Sequence, residues 1–318
     1  MKDMYGRQIN YLRFSVTDRC NLRCRYCMPP QGIIKESMDD ILSFEEIRYI
    51  VNLFTTIGIN KLRLTGGEPL VRKKLPHLVE AIKRENQIND FSITTNGILL
   101  KKYARDLKNA GINRINISLD TLKPDKYRHI TKWGNLKDVL DGIETVRQLD
   151  FKPIKINTVM MKGFNDDEIG ALIELTRYED IEIRFIELMP QGNNWEYYQK
   201  HYTSNMVVMK RYPNMVRLPS RDRSATAVRW KVPGYVGTVG LINPNSHKFC
   251  GSCNRVRVTA DGKMKTCLHS NTEVDLKDRL RRKQPIEDII RQHIFLKPLN
   301  HHLETGEYVT REMSAIGG

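Results

Sequence analysis

The chain has 318 residues, enough for one large core or two modest ones, and its hydrophobic (40%) and charged (28%) fractions are those of an ordinary globular protein. No run of about 18 apolar residues occurs, which excludes a transmembrane helix, and Met1-Lys2-Asp3-Met4-Tyr5-Gly6 lacks the apolar stretch of an export signal, so the expected compartment is the cytoplasm. The net charge of +15 draws anions to the surface but by itself implies only solvated basic side chains.

From residue 10 to residue 190 a strand-then-helix unit recurs. Residues 11–16 read as a short apolar strand, and 44–57 as a helix opened by a capping box, Ser43 with Glu46. Strand 61–65 precedes helix 75–84, strand 91–95 precedes helix 99–110, and strand 114–119 precedes helix 136–148. Strand 154–161 precedes helix 167–178, and strand 182–188 closes the series. Six such units imply an α/β fold: a parallel sheet with helices on its outer face, a partial (β/α)6 barrel short of the eight strands that close a TIM barrel. Beyond Pro190 the pattern changes. Residues 195–212 read as one helix, 228–242 as short strands broken by Pro and Gly, 275–280 and 286–292 as helices, and the rest as a polar tail. The expected domains are 1–217 and 218–318, the second an α+β unit closing the open side of the barrel, with no low-complexity linker between them.

In barrels of this kind the active site lies at the C-terminal ends of the strands. The chemistry-bearing residues fall there: Cys20 to Cys27 after the first strand, Gly66-Gly67-Glu68-Pro69 after the second, Thr94-Thr95-Asn96-Gly97 after the third, Ser118-Leu119-Asp120 after the fourth, and Glu187-Leu188-Met189-Pro190 after the sixth. The six cysteines form two triplets with none left over: Cys20, Cys24 and Cys27 (C-x3-C-x2-C), and Cys250, Cys253 and Cys267 (C-x2-C-x13-C). In a cytoplasmic chain, grouped cysteines point to metal centres rather than disulfides. Three thiolates hold three irons of a 4Fe–4S cluster and leave the fourth iron open, whereas structural zinc takes four ligands and no fourth residue completes a familiar zinc spacing. On spacing alone, zinc and buried thiols stay open beside the cluster.

Cys20-Asn21-Leu22-Arg23-Cys24-Arg25-Tyr26-Cys27 resembles the cluster loop of radical S-adenosylmethionine (SAM) enzymes, and Gly66-Gly67-Glu68-Pro69 resembles the glycine motif that holds the SAM amino group in that family. The resemblance implies SAM chelated to the open iron, one-electron cleavage, and a 5′-deoxyadenosyl radical that takes a hydrogen atom from substrate. It implies SAM contacts from Tyr26, Gly67, Ser118 and Met189. Without it, Ser118 and Met189 would read as a turn serine and a core methionine.

Cys250-Gly251-Ser252-Cys253-Asn254-Arg255-Val256-Arg257 with Cys267 is similar to the auxiliary-cluster site of the GTP 3′,8-cyclase family of molybdenum-cofactor synthesis. Leu12 to Arg19, Phe185 to Met189 and the tail Met313-Ser314-Ala315-Ile316-Gly317-Gly318 extend the match over nearly the whole chain. The resemblance implies two 4Fe–4S clusters, with guanine bound at the second. Arg13, Arg255 and Arg257 match the triphosphate-binding arginines, and Arg63, Thr94 and Lys155 match further GTP contacts. Planar guanidinium groups suit phosphate oxygens; read without the match, Arg255 and Arg257 would be a solvated pair on one strand face. The implied reaction removes the ribose 3′-hydrogen and joins C3′ to guanine C8. A Gly317-Gly318 tail reaching into the site, a one-electron reductant, a pterin synthase acting on the product, and a homodimer are further implications. No nucleic acid or membrane partner is expected.

Two other readings remain beside it. A peptide-modifying radical SAM maturase also uses C-terminal cysteines, typically more than three. A zinc-knuckle nucleic-acid binder calls for four-ligand sites and interleaved aromatics, which this sequence lacks. Arg281-Arg282-Lys283 reads as surface charge and His301-His302 as an exposed pair.

Overall fold

A computed structural model of the chain describes all residues except 30, 33–36, 38, 193, 221, 302, 304–307 and 318. The alternating half runs β1 (Tyr11–Ser15), α1 (Phe44–Thr56), β2 (Lys61–Thr65), α2 (Leu75–Glu85), β3 (Asp90–Thr95), α3 (Leu100–Ala110), β4 (Arg114–Ser118), α4 (Pro124–Thr131), α5 (Leu136–Gln148), β5 (Ile154–Met160), α6 (Ile169–Glu174) and β6 (Ile181–Glu187). The remainder holds α7 (Trp195–His201), α8 (Met206–Arg211), β7 (Val216–Arg217), β8 (Val228–Lys231), β9 (Thr238–Ile242), β10 (Arg255–Val258), β11 (Lys263–Lys265), β12 (Val274–Asp275), α9 (Leu276–Arg281), α10 (Glu287–Phe295) and α11 (Met313–Ile316).

Local chemistry accounts for the helix ends. The capping box is formed: Ser43 N donates to Glu46 Oε2 at 2.7 Å and Glu46 N to Ser43 Oγ at 3.2 Å. α3 stops at Gly111, whose φ of 108° continues the chain through the left-handed region. Along α1 the buried positions are Ile47, Ile50, Val51 and Phe54, a stripe at helical spacing that packs on the sheet.

Each strand sends alternate residues to opposite faces. One set, including Leu12, Phe14, Leu64, Ile93, Ile117 and Phe185, is buried in the main core beneath the helices. The other set, including Arg13, Arg63, Arg114, Lys155 and Arg184, lines a cavity on the inner face. Parallel strands are ordinarily apolar on both faces. Charging the inner face of five strands is a departure that the site below explains.

Among the described residues the sheet has 12 strands in the order β12-β11-β10-β1-β2-β3-β4-β5-β6-β9-β8-β7. The six strands of the alternating half lie adjacent and parallel, as the sequence predicts. The later strands extend both edges of this sheet, with β10 parallel to β1 and β9 parallel to β6. Strands from both sides of the expected boundary therefore share one hydrogen-bond ladder.

Several sequence expectations need correcting. The helix over 195–212 is two helices, because Asn205 turns inward and its Nδ2 donates to Phe185 O at 3.0 Å and Ile242 O at 3.1 Å, bridging β6 and β9. The helix over 167–178 ends at Glu174 and is preceded by a 3-10 turn, where Glu168 accepts from Thr121 Oγ1 and Leu122 N. Arg281 is a tie as well as surface charge: its Nε donates to Glu46 Oε1 at 2.7 Å and its Nη2 to Ile41 O at 3.2 Å. His301 is buried, with Nε2 at 3.2 Å from Pro244 O, and not exposed; His302 lies outside the described residues. No helix of the described residues is long and apolar enough to cross a membrane.

Candidate active site

A cavity of about 1670 Å³ opens on the inner face of the sheet, and both cysteine triplets line it. Arg13, Tyr26, Arg63, Gly67, Thr94, Ser118, Lys155, Met189, Arg255 and Arg257 line it too.

The first triplet lies on the loop after β1. Cys27 N and Met28 N both donate to Cys24 O, at 2.9 and 3.0 Å, which coils the loop around its own carbonyl. Burial pushes the Cys20 thiol up to about 11 and, together with Cys20, the Cys27 thiol up to about 12; Cys24 is pushed up as well, by burial and then by Cys27. Three thiols crowded in a poorly solvated place resist ionisation until a cation compensates them. Among the described residues no group of three His, Cys, Asp or Glu side chains could hold a single metal ion. A four-iron cluster makes a different demand, since each thiolate binds its own iron, and three cysteines leave one iron for a small molecule. The donor set fits that group.

The glycine motif is shaped by this loop. A Cβ on Gly67 would lie 2.5 Å from Arg19 O and 2.6 Å from Asp18 O, and one on Gly66 would lie 2.6 Å from Thr17 O. The backbones are also bonded, Gly67 N to Thr17 O and Glu68 N to Arg19 O, both at 2.8 Å. Glu68 then joins the motif to the end of β3. Its carboxylate accepts from Leu70 N at 3.0 Å, Thr95 Oγ1 at 2.7 Å and Asn96 N at 2.6 Å, while burial raises it to about 7. Asn96 completes the link, donating from Nδ2 to Asn21 Oδ1 at 2.7 Å. Sequence spacing located these motifs but not the carboxylate that welds them together.

Tyr26 donates from its hydroxyl to Asp120 Oδ2 at 2.9 Å, and Asn194 Nδ2 holds the Tyr26 carbonyl at 3.0 Å and the Met189 carbonyl at 3.2 Å. Burial lifts the Asp120 carboxyl to about 6. Tyr26, Ser118 and Met189 line the cavity together with the first triplet.

The second triplet sits around the 3-10 turn Cys250–Ser252 and the end of β11. Arg7 grips it from the N-terminal segment: its Nη1 donates to Cys250 O at 2.8 Å and its Nη2 to Pro298 O at 2.8 Å, while Asp3 holds Nε at 2.6 Å. Burial pushes the Cys253 thiol up, but Arg255 and then Lys297 outweigh it and bring the group down to about 7. Cations beside Cys253 thus favour its thiolate more than Arg23 favours that of Cys20. A cluster here too would be held by three cysteines.

Between the triplets the parallel register aligns cations. Arg13 is the register partner of Arg257 on one side and of Arg63 on the other, so three guanidinium groups on adjacent strands share one face. Burial, then Arg257, depresses Arg13 to about 9; burial alone is the leading cause for Arg63, at about 9, and Arg257, at about 10. Lys155 falls to about 7 through burial and then Arg184. Dehydrated like charges in a row are unfavourable unless an anion joins them. Arg114, Arg184 and the buried carboxylate of Glu182, 3.7 Å from Lys155 Nζ, belong to the same wall and were not singled out from sequence. Their alternation with apolar neighbours along β4 and β6 was the available signal. Thr94 Oγ1, Asn157 Oδ1, Arg255 Nε and His269 Nδ1 are buried without a hydrogen-bond partner among the described residues, as expected of groups awaiting a polar ligand.

The tail enters this space. Gly317 O accepts from Arg257 Nη1 at 2.8 Å, and its φ of 87° and its approach to Thr65 Oγ1, 2.5 Å from an added Cβ, leave room only for glycine. Gly318 lies outside the described residues.

Known proteins match the chain along nearly its whole length. Residues 14–176 match the family model described as Radical SAM superfamily, and residues 181–303 match Molybdenum Cofactor Synthesis C. The chain is 49% identical over 317 residues to the GTP 3′,8-cyclase of Peptoclostridium acidaminophilum, covering 99% of this chain and 98% of that protein. It is 48% identical over 321 residues to that of Alkaliphilus oremlandii, covering all of both. Among solved structures, Streptococcus suis SuiB aligns with a TM-score of 0.57 at 14% identity over 89% of this chain and 65% of that one, a likeness of fold alone.

Proposed function

The chain belongs to the GTP 3′,8-cyclase family of the radical SAM superfamily, and from that premise we propose how its own residues convert GTP to (8S)-3′,8-cyclo-7,8-dihydro-GTP in molybdenum-cofactor biosynthesis. The observation that carries the reading is the register-aligned row Arg257, Arg13 and Arg63 in a cavity lined by both thiol triplets.

Cys20, Cys24 and Cys27 would hold one 4Fe–4S cluster and Cys250, Cys253 and Cys267 a second. Bound there, the first would supply the electron for SAM cleavage, and the second would help hold the guanine ring. Tyr26, Gly67, Ser118 and Met189 are the SAM-binding residues of this reading. Asp120 orients Tyr26, and Glu68 keeps the glycine motif seated on the cluster loop. Arg13, Arg63, Arg255, Arg257, Thr94 and Lys155 bind GTP, the guanidinium groups taking the triphosphate. Arg257 also ties down Gly317, so phosphate binding and tail position depend on one side chain; Gly318 belongs to the same role. Hydrogen transfer from ribose needs the reacting carbons held together away from water, and the cationic wall orients GTP for that. A one-electron reductant, a pterin synthase that consumes the product, a homodimer and a cytoplasmic setting complete the proposal. A peptide substrate would leave the arginine row without an anion.

The defining assay is anaerobic: the iron- and sulfide-reconstituted, reduced protein with SAM and either GTP or ATP. Formation of 5′-deoxyadenosine and a GTP isomer with GTP only is expected; deoxyadenosine with GTP untouched would sink the cyclase reading. Cys253→Ser separates the two centres. Iron per chain should fall to one cluster's worth and GTP turnover should cease, while SAM cleavage by the first centre persists.

Lys155 sets a pH dependence. Its pKa of about 7 in the free protein should rise when a triphosphate adds negative charge, so GTP binding takes up a proton above pH 7. Affinity is full below that value and weakens as pH rises through it. Titration calorimetry in two buffers of different ionisation enthalpy should detect the proton, and Lys155→Met should abolish the uptake.

A further inference from the structure

In the reading above, the cavity side of the loop of residues 20–27 is taken by SAM and GTP, so an electron donor has to approach from the other side. The end of α4 and the turn after it bond the backbone of that loop, and neither they nor Arg25 line the cavity. Arg23 N donates to Thr131 O at 3.2 Å, Arg25 N to Ile130 O at 3.0 Å, and Arg25 Nε to His129 O at 2.9 Å. The turn is held at a conformational cost. Lys132 sits at φ 75°, and a Cβ on Gly134 would lie 2.7 Å from Thr131 Oγ1 and Tyr127 Cε1 and 3.0 Å from Leu22 Cδ2. What this turn presents is Trp133, 57% exposed, whose Nε1 donates to Asn21 O at 2.8 Å. The Arg23 guanidinium stands 5.6 Å from the indole centroid.

We propose that Trp133, Arg25 and Arg128 form the docking surface for an acidic one-electron carrier protein that reduces the first cluster. The proposal rests on the cluster reading of Cys20, Cys24 and Cys27. Tryptophan and arginine are the residue types that dominate binding energy at protein interfaces, and here they sit together on a basic surface. Arg23, Arg25, Arg128 and Lys132 outnumber the acidic neighbours along this stretch of chain, Asp125 and Asp138. Arg25 and Arg128 are exposed, and Arg25 bonds a backbone carbonyl rather than a carboxylate among the described residues, which leaves its charge to face a partner. Such a surface on a chain of net charge +15 complements an acidic protein and repels a basic one. The indole is also the outer end of a short bonded route. One hydrogen bond reaches the Asn21 carbonyl, and Asn21 adjoins Cys20 in the chain. The step moves one electron from reduced carrier to cluster; the carrier is oxidised by one electron, and no bond or proton changes hands.

The test is anaerobic stopped-flow reduction of the reconstituted enzyme by a reduced flavodoxin, an acidic flavoprotein used as probe, at low and high salt without GTP. Dithionite, which needs no docking site, serves as the second reductant. Trp133→Ala and Arg128→Glu should each slow reduction by flavodoxin about 10-fold or more at low salt, with Arg128→Glu also flattening the salt dependence. Reduction by dithionite and SAM binding should be unchanged in both. Wild-type flavodoxin rates and salt dependence in the variants would overturn the proposal. So would loss of single-stranded oligonucleotide binding in Arg128→Glu with carrier reduction intact, which would give the patch to nucleic acid. Failure of dithionite to reduce wild-type enzyme would instead fell the cluster reading on which the proposal stands.

Discussion

Replacing Arg257 with alanine is expected to weaken GTP binding about 100-fold, at about 1.5–3 kcal/mol for a charged hydrogen bond and 1.4 kcal/mol per factor of 10, and to stop cyclisation. Two losses combine in this one change. The guanidinium leaves the aligned row it forms with Arg13 and Arg63, and Gly317 O loses its donor at 2.8 Å. Arg257→Lys separates them: a lysine keeps a charge for phosphate but cannot serve phosphate and carbonyl with one planar fork. That variant should retain much of the GTP affinity and little of the cyclisation. Calorimetry with GTP and a product assay check both statements, and an unchanged GTP affinity in Arg257→Ala would refute the phosphate role. SAM cleavage without GTP should survive in both, because the first triplet does not depend on this side chain.

Gly67→Ala should abolish binding of the first cluster, and with it SAM cleavage. The methyl group would meet Arg19 O at 2.5 Å and Asp18 O at 2.6 Å, both backbone atoms of the cluster loop. Neither side can yield cheaply, since Gly67 N and Glu68 N are bonded to that backbone at 2.8 Å. Iron should drop to the share of the second cluster, and the absorbance of the first should be missing after reconstitution. Gly170→Ala is the matched control: it lies in α6, and an added Cβ there comes no nearer than 3.5 Å to another atom. It should keep its iron and its activity. Full iron content in Gly67→Ala would show that the glycine serves SAM contact rather than the seating of the loop.

These two residues differ in how readily sequence reveals them. Gly67 is visible because a glycine pair followed by Glu-Pro after a strand, one strand beyond a cysteine loop, is a local pattern. Why glycine is required there is not local: the atoms that exclude a Cβ come from residues 18 and 19, almost 50 positions away. Arg257 is visible only as a neighbour of cysteines. Its partnership with Arg13 comes from β10 pairing in parallel with β1, a contact across some 240 residues that no periodicity reports.

Six strands and the main helices between them, the capping box of α1, the two cysteine triplets and the ends of the strands as the place of chemistry are legible in the sequence. Each is written in short-range spacing, where the helical and strand periods and loop-borne ligands act within a few residues. That one sheet joins the two halves, that arginines from three strands form a row, and that Glu68 welds the glycine motif to β3 emerges only from the folded chain. The fold also turned His301 inward where the sequence pointed to an exposed pair. Strand pairing and burial are set by which distant surfaces meet, so residues close in space carry no mark of it in their own neighbourhoods.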